Sequence, residues 1–190
     1  APLNLSTGTT DIYVRYKPEG IVTYKLPIIV SGSTTHRNTI NAHIGLDLDT
    51  LANINKEHYN LRKDLYYQVL RDDQYTFPET VQIPGGEDVS LMDIDFSFGN
   101  IDLVDKWVLP LTILDDSSFD YLANPRKNYR KAILRVIPFN DYSGVYSSTT
   151  MNVYFRGIEA DPMTINTRTA FVVDDNTIFF YAGVQDENLL

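Results

Sequence analysis

The side chains best suited to chemistry in this chain are three histidines, a pair of carboxylates on one strand, and tyrosines gathered around a single tryptophan. His36, His43 and His58 fall on a predicted loop, strand and helix, and no His-x-x-x-His pair offers two ligands from one helical turn. His43 shares a predicted strand face with Asp47 and Asp49, but ligands this sparse read as polar residues on the wet side of a strand. Asp93 and Asp95 lie one pleat apart. Glycosidases set their acid and base across a cleft, roughly 5 to 9.5 Å apart, so two carboxylates on one strand of a narrow sheet read as solvent-facing. Asp115-Asp116 and Asp174-Asp175 are turn formers, with too few oxygen ligands at fixed spacing for a calcium loop. Ser31-Gly32-Ser33 and Ser147-Ser148 have no partnered base, and no G-x-S-x-G elbow occurs. Pro84-Gly85-Gly86 is a turn and not a phosphate cradle, since neither G-K-[ST] nor a helix start follows. The chain contains no cysteine, which excludes disulfides, thiolate nucleophiles and Cys-based zinc sites. No catalytic residue, metal ligand or cofactor is expected.

Binding is a different matter. The chain carries 13 Tyr and 9 Phe beside 1 Trp, and sugar rings stack on flat aromatic faces. Trp107, Tyr66, Tyr67, Tyr142 and Tyr146 are the candidates, with Tyr142, Tyr146 and Trp107 retained as the ligand-binding set. Trp107 is in phase with Leu109, Leu111 and Ile113, so a place in the core competes with a place in a site. Net charge is −9, the wrong sign for displacing the counterions of a nucleic acid. The basic stretch Arg126, Lys127, Arg130, Lys131 and Arg135 reads as a solvated loop leading into a strand. No nucleic-acid partner is expected. No apolar run approaches the roughly 20 residues that cross a bilayer. Ala1-Pro2-Leu3-Asn4 carries neither a start methionine nor a signal peptide, which suggests a processed or trimmed N-terminus.

The elements that must position these residues are mostly strands. Val22, Tyr24, Leu26, Ile28 and Val30 alternate with polar residues, and Pro27 places that strand at an edge or beside a bulge. Ile40, Ala42, Ile44, Leu46 and Leu48 define a second core-facing parity. Asp49-Thr50 is predicted to cap a short helix with Leu51, Ile54 and His58 on one face. Short extended pieces follow at Tyr66–Leu70, Tyr75–Phe77 and Val81–Ile83. Val89 and Leu91 differ in parity from Met92, Ile94, Phe96 and Phe98, which predicts a bulge near Leu91. Trp107–Ile113 alternates, and Ile133–Phe139 is apolar on both faces and so central. This is mainly β: an immunoglobulin-like antiparallel β-sandwich with one short helix over residues 1–140. Asn140-Asp141-Tyr142-Ser143-Gly144 reads as a linker. Residues 141–190 supply the first strands of a second β domain, with a hairpin at Asp174-Asp175-Asn176, and the chain stops at Asp186–Leu190 with that domain incomplete.

Two stretches resemble a known family. Ile40-Asn41-Ala42-His43-Ile44-Gly45-Leu46-Asp47, the following helix, Pro84-Gly85-Gly86 and Trp107-Val108-Leu109-Pro110-Leu111 resemble the N-terminal sandwich domain of unknown function of Bacteroidetes surface lipoproteins. Tyr142-Ser143-Gly144-Val145-Tyr146, Asn166-Thr167-Arg168-Thr169-Ala170 and Phe179-Phe180-Tyr181-Ala182-Gly183 are similar to the opening of the lipocalin-like domain that follows it. The resemblance implies an exported, non-catalytic accessory lipoprotein of the outer membrane or cell surface. It would bind glycan or join an outer-membrane polysaccharide-uptake system, with glycan and other glycan-uptake proteins as partners. Its only membrane attachment would be a lipid anchor upstream of Ala1. Related sandwiches also precede some glycoside hydrolase domains, so a non-catalytic hydrolase module is the alternative, followed by an adhesive sandwich that binds protein. The family supplies no catalytic residues to carry over.

Overall fold

The computed structural model describes residues 7–32, 36–99, 101–124 and 129–183. Ser33, Arg126, Lys127 and Asp186–Leu190, named above, lie outside them. The strands are β1 (Thr10–Arg15), β2 (Val22–Ile29), β3 (Ile40–Leu46), β4 (Gln68–Val69), β5 (Tyr75–Thr76), β6 (Thr80–Ile83), β7 (Val89–Phe96), β8 (Trp107–Ile113) and β9 (Lys131–Phe139). Beyond them come β10 (Gly144–Ser147), β11 (Asn152–Phe155), β12 (Ile158–Thr164), β13 (Thr167–Val172) and β14 (Ile178–Phe179). One α-helix, α1 (Leu48–Tyr59), follows β3.

One sheet runs β1-β9-β8-β3-β6, with β4 also paired to β8, and a second runs β2-β7-β5. The fold is a mainly β sandwich with one helix, as the sequence predicts. Its interior is the meeting of two parities: Leu26 and Ile28 from β2, Met92, Ile94 and Phe96 from β7, and Ala42, Ile44, Leu109, Leu111 and Leu134 from the larger sheet. Pairing is not wholly antiparallel. β1 runs parallel to β9, from Thr10↔Leu134 to Arg15↔Phe139, and β4 runs parallel to the start of β8. Neither pair is joined by a hairpin, so chain direction is not dictated by a short turn. β1 itself was passed over in the sequence, although Thr10, Ile12 and Val14 alternate with exposed Asp11, Tyr13 and Arg15.

Four local expectations need correction. β2 and β7 keep one unbroken register from Val22↔Phe96 to Ile29↔Val89, so no bulge lies near Leu91. The parity change is real but simpler: Val89 and Leu91 stand on the outer face and are exposed, while Met92, Ile94 and Phe96 point inward. The helix starts earlier than predicted, and its cap is Asp47, whose carboxylate accepts from Thr50 N at 3.1 Å. Because β3 ends at Leu46, Leu48 becomes the first helical residue and is exposed, not a core residue of the strand. His58 is exposed as well, and Asn55 takes the buried place on the helix.

α1 lies on the outer face of the larger sheet, where Leu51 and Ile54 meet Tyr67, Val108 and Ile133. Asn55 fixes it there. Its amide donates to Tyr67 O at 3.0 Å and its carbonyl accepts from Tyr67 N at 2.8 Å. A buried side chain thereby serves a main-chain donor and acceptor that no strand supplies. At the opposite end, Pro84-Gly85-Gly86 turns β6 towards β7. A Cβ on Gly85 would stand 2.1 Å from Arg37 O, and Gly86 adopts φ +91°. A side chain at Gly85 would have to displace that backbone, and one at Gly86 would be strained by its positive φ.

Beside that turn His36 bonds two carbonyl oxygens, Nδ1 to Asn38 O at 2.8 Å and Nε2 to Glu87 O at 2.6 Å. Carbonyls only accept, so the two bonds form together only when both nitrogens carry a proton, which favours the imidazolium. The bonds to Asn38 and Glu87 raise its pKa above the ordinary histidine value. Stability from a raised folded pKa is fully present below the unfolded value, about 6.5, and is lost as pH rises through the folded value. The melting difference between the native chain and His36→Gln should therefore be largest near pH 5 and shrink above neutrality, about pH 7. An equal difference across that range in thermal melts would show that the charge is not what is bound. Asn55→Ala strands two buried main-chain groups and should cost about 2–4 kcal/mol in urea unfolding.

Candidate functional site

The residues picked out for acid–base or metal chemistry are dispersed by the fold. His43 stacks on Phe119 with centroids 4.1 Å apart and lies near Tyr121, its Nδ1 3.3 Å from the Thr80 hydroxyl. Asp47 has turned to the helix and meets Lys131 Nζ at 2.6 Å. Burial alone would raise its pKa, but the bonds from Lys131 and Thr50 outweigh this and hold it below the usual carboxylate value. Asp49 sits in the first helical turn. Asp93 pairs across the strands with Lys25 at 2.7 Å, and Asp95 accepts from the Thr23 hydroxyl at 2.5 Å. Each carboxylate thus has its own cross-strand partner on the outer face. Among the described residues, no three His, Asp or Glu side chains converge on a possible metal position. Of the basic stretch, Arg130 lies 3.7 Å from Asp115 and Lys131 is held by Asp47.

The aromatic candidates divide. Trp107 is only 9% exposed, part of the inter-sheet core, and its indole N–H donates to Asp102 O at 2.5 Å. It cannot present a ring face to a ligand. Tyr142 and Tyr146 are half-exposed, at 50% and 42%. The Tyr146 hydroxyl donates to Tyr142 O, and its ring meets Phe180 edge-on at 5.8 Å. Phe180, 45% exposed, completes a ledge at the β10-β13-β14 sheet. Behind it Phe171 and Phe179 stack across the strands at 5.4 Å, with Tyr181 edge-on to both.

What holds this ledge is the segment that reads as a linker. Asn140 is 6% exposed. Its side-chain oxygen accepts from Tyr142 N at 2.9 Å and Ser143 N at 2.8 Å, while its amide donates to Asp174 O at 2.8 Å. Asn140 therefore ties the turn before β10 to the β13–β14 hairpin. The predicted hairpin forms, with Phe171↔Phe179 and Val172↔Ile178 paired. Its turn lies close to β1: burial first, then the charges of Asp174 and Asp175, raise the pKa of Tyr16. Arg15 and Asp141 add an exposed ion pair at 2.7 Å. Asn140 and Phe180 were missed in the sequence. An Asn whose side chain closes onto the next main-chain amides is a known turn device, and Asn140-Asp141-Tyr142-Ser143 carries that signal; Phe180 carries none apart from its hairpin.

The half-exposed rings of Tyr146 and Phe180, with Tyr142 half-exposed four residues before Tyr146, offer flat apolar faces beside polar atoms. They can stack against the C–H face of a ring while hydroxyls hydrogen-bond at its margin.

A family model described as a domain of unknown function (DUF4973) matches residues 1–117, and a second, described as a C-terminal domain, matches residues 130–189. A solved multidomain protein including DUF1735 from Bacteroides ovatus is 47% identical, covers 98% of the chain and superposes with a TM-score of 0.80. A second Bacteroides ovatus protein, of unknown function, is 48% identical over 100% of the chain with a TM-score of 0.80. An auxiliary nutrient binding protein from Bacteroides thetaiotaomicron is 40% identical over 96% of the chain with a TM-score of 0.82. The chain spans 60%, 62% and 63% of the length of those three proteins. No curated protein matches it.

The single tryptophan makes the division of the aromatic residues measurable. Trp107 emission should be blue-shifted and resist acrylamide quenching, and it should not move when the Tyr142 ledge is occupied. A ligand-dependent shift in that emission would put Trp107 back in the site.

Proposed function

The chain belongs to the DUF4973 family of domains of unknown function, and from that premise we propose that it is a non-catalytic accessory lipoprotein of the cell surface that binds glycan at the Tyr142–Tyr146–Phe180 ledge. The observation that carries this reading is the 40% identity to an auxiliary nutrient binding protein across 96% of the chain. The ledge is the feature this reading assigns to the ligand, since Tyr142, Tyr146 and Phe180 are each nearly half-exposed and Asn140 bonds the Tyr142 main chain beside them. In this reading residues 1–140 are the sandwich domain and residues 141–190 open a lipocalin-like domain. The protein is exported, held at the outer membrane by a lipid anchor upstream of Ala1, and works beside glycan-uptake proteins. The carboxylates fit the non-catalytic part of the proposal: Asp93 and Asp95 are engaged across the strands with Lys25 and Thr23.

A glycan array followed by calorimetry on the best ligand tests this. Tyr142→Ala and Tyr146→Ala should each weaken binding about three- to tenfold, the loss of one ring contact, with the far-ultraviolet spectrum unchanged. Capture of a surface protein with no saturable glycan binding would favour the adhesive reading, and turnover of any glycan would sink the non-catalytic one.

A further inference from the structure

The larger sheet is wider than the one packed on it. Its path holds five strands, against three in β2-β7-β5. The consequence is visible residue by residue. Ile40 on β3, Ile113 on β8 and Ala132 on β9 all have the parity of the inner face and touch the main core, yet each is only half-buried. The space left between β2 and the β3–β8–β9 floor is a cavity of about 580 Å³. Leu26 and Ile28 form one wall, and Ile44, Leu111 and Leu134 lie in its floor.

A volume of that size is within the range of small-molecule sites. It is also too large to be a dry packing defect. At the usual penalty per cubic ångström, an empty apolar void of this volume would cancel the whole stability of a domain this size. The space must therefore be open to water or filled by a ligand. Water gains little there, because the floor is hydrocarbon, and a sugar would lose its hydroxyl partners on entry. The polar groups stand at the rim: Tyr129, Asn124 bonded to Ser31 Oγ at 3.5 Å, and Arg130, two residues before Ala132. Arg130 reaches Asp115 only at 3.7 Å, a separation that leaves the guanidinium fork able to donate to an incoming carboxylate.

We propose that this cavity binds a long-chain fatty acid, its aliphatic chain between the two sheets and its carboxylate at Arg130. The site is separate from the Tyr142 ledge and takes a different ligand class, so the two stand or fall apart. The test uses the whole chain after passage over a lipid-stripping resin, titrated with cis-parinaric acid and competed with oleate. Saturable one-to-one binding is expected. Ala132→Phe fills the floor and should weaken oleate at least about tenfold while leaving glycan binding and melting intact. Ile113→Trp reads the same floor if Ala132→Phe does not fold. Arg130→Gln should weaken oleate several-fold and leave oleyl alcohol unchanged. Absence of saturable binding by the stripped chain, or native affinity in a folded Ala132→Phe or Ile113→Trp variant, overturns the site. An oleate affinity indifferent to Arg130→Gln overturns the placement of the carboxylate.

Discussion

From Trp107 to Leu111 strand β8 is buried on both faces, and much of the molecule is arranged to keep it so. Leu109 and Leu111 point into the sandwich, while Val108 lies under Leu51 and Ile54 of the helix. Burying such side chains contributes about 1.5–3 kcal/mol each, but only if every main-chain group on the strand is also paired. β9 supplies one edge throughout. The other edge is shared: β4 pairs with Trp107 and Val108, and β3 with Leu111 to Ile113. Asp47 N donates to Pro110 O at 2.9 Å where the two hand over. The helix cap is thus set at the gap between two partial partners.

That arrangement explains which parts of the fold were legible in the sequence. Alternation announces a strand when one face is wet, so β2, β3 and β7 could be read from Leu26, Ile44 and Ile94. It announces nothing about partners. The parallel pairing of β1 with β9 depends on contacts remote in sequence, and β4, inside the extended piece read at Tyr66–Leu70, carries no sign that it pairs parallel to β8. The cap was misplaced by two residues because Leu48 continues the alternation of β3 while belonging to the helix. A bulge was inferred at Leu91 because exposed Val89 and Leu91 look like core residues; parity alone cannot say which face of an apolar strand meets water.

The aromatic site was half legible. Tyr142 and Tyr146 stand out as large rings in a polar, turn-rich segment, and the Tyr146 hydroxyl reaches the Tyr142 main chain. Trp107 was readable as core from its phase with Leu109 and Leu111. The support under the ledge was not readable as such: Asn140 acts through main-chain groups of Tyr142, Ser143 and Asp174. In a string of turn-forming residues, a polar clasp and a flexible connector look alike. Geometry separates them, because a 6% exposed asparagine must have its bonds satisfied, and the residues that satisfy it become fixed.

The parallel β1–β9 ladder also orders events in time. Thr10 through Arg15 leave the ribosome long before Leu134 through Phe139, with which they must pair. Until then Ile12 and Val14, buried in the finished molecule, have no sheet to join. Closing so long a loop costs little more free energy than closing a short one, yet such distant pairings slow the search for the native arrangement. β1 is therefore among the last of these strands to lock in place, and its arrival covers the edge of β9 that would otherwise be open to a neighbouring chain.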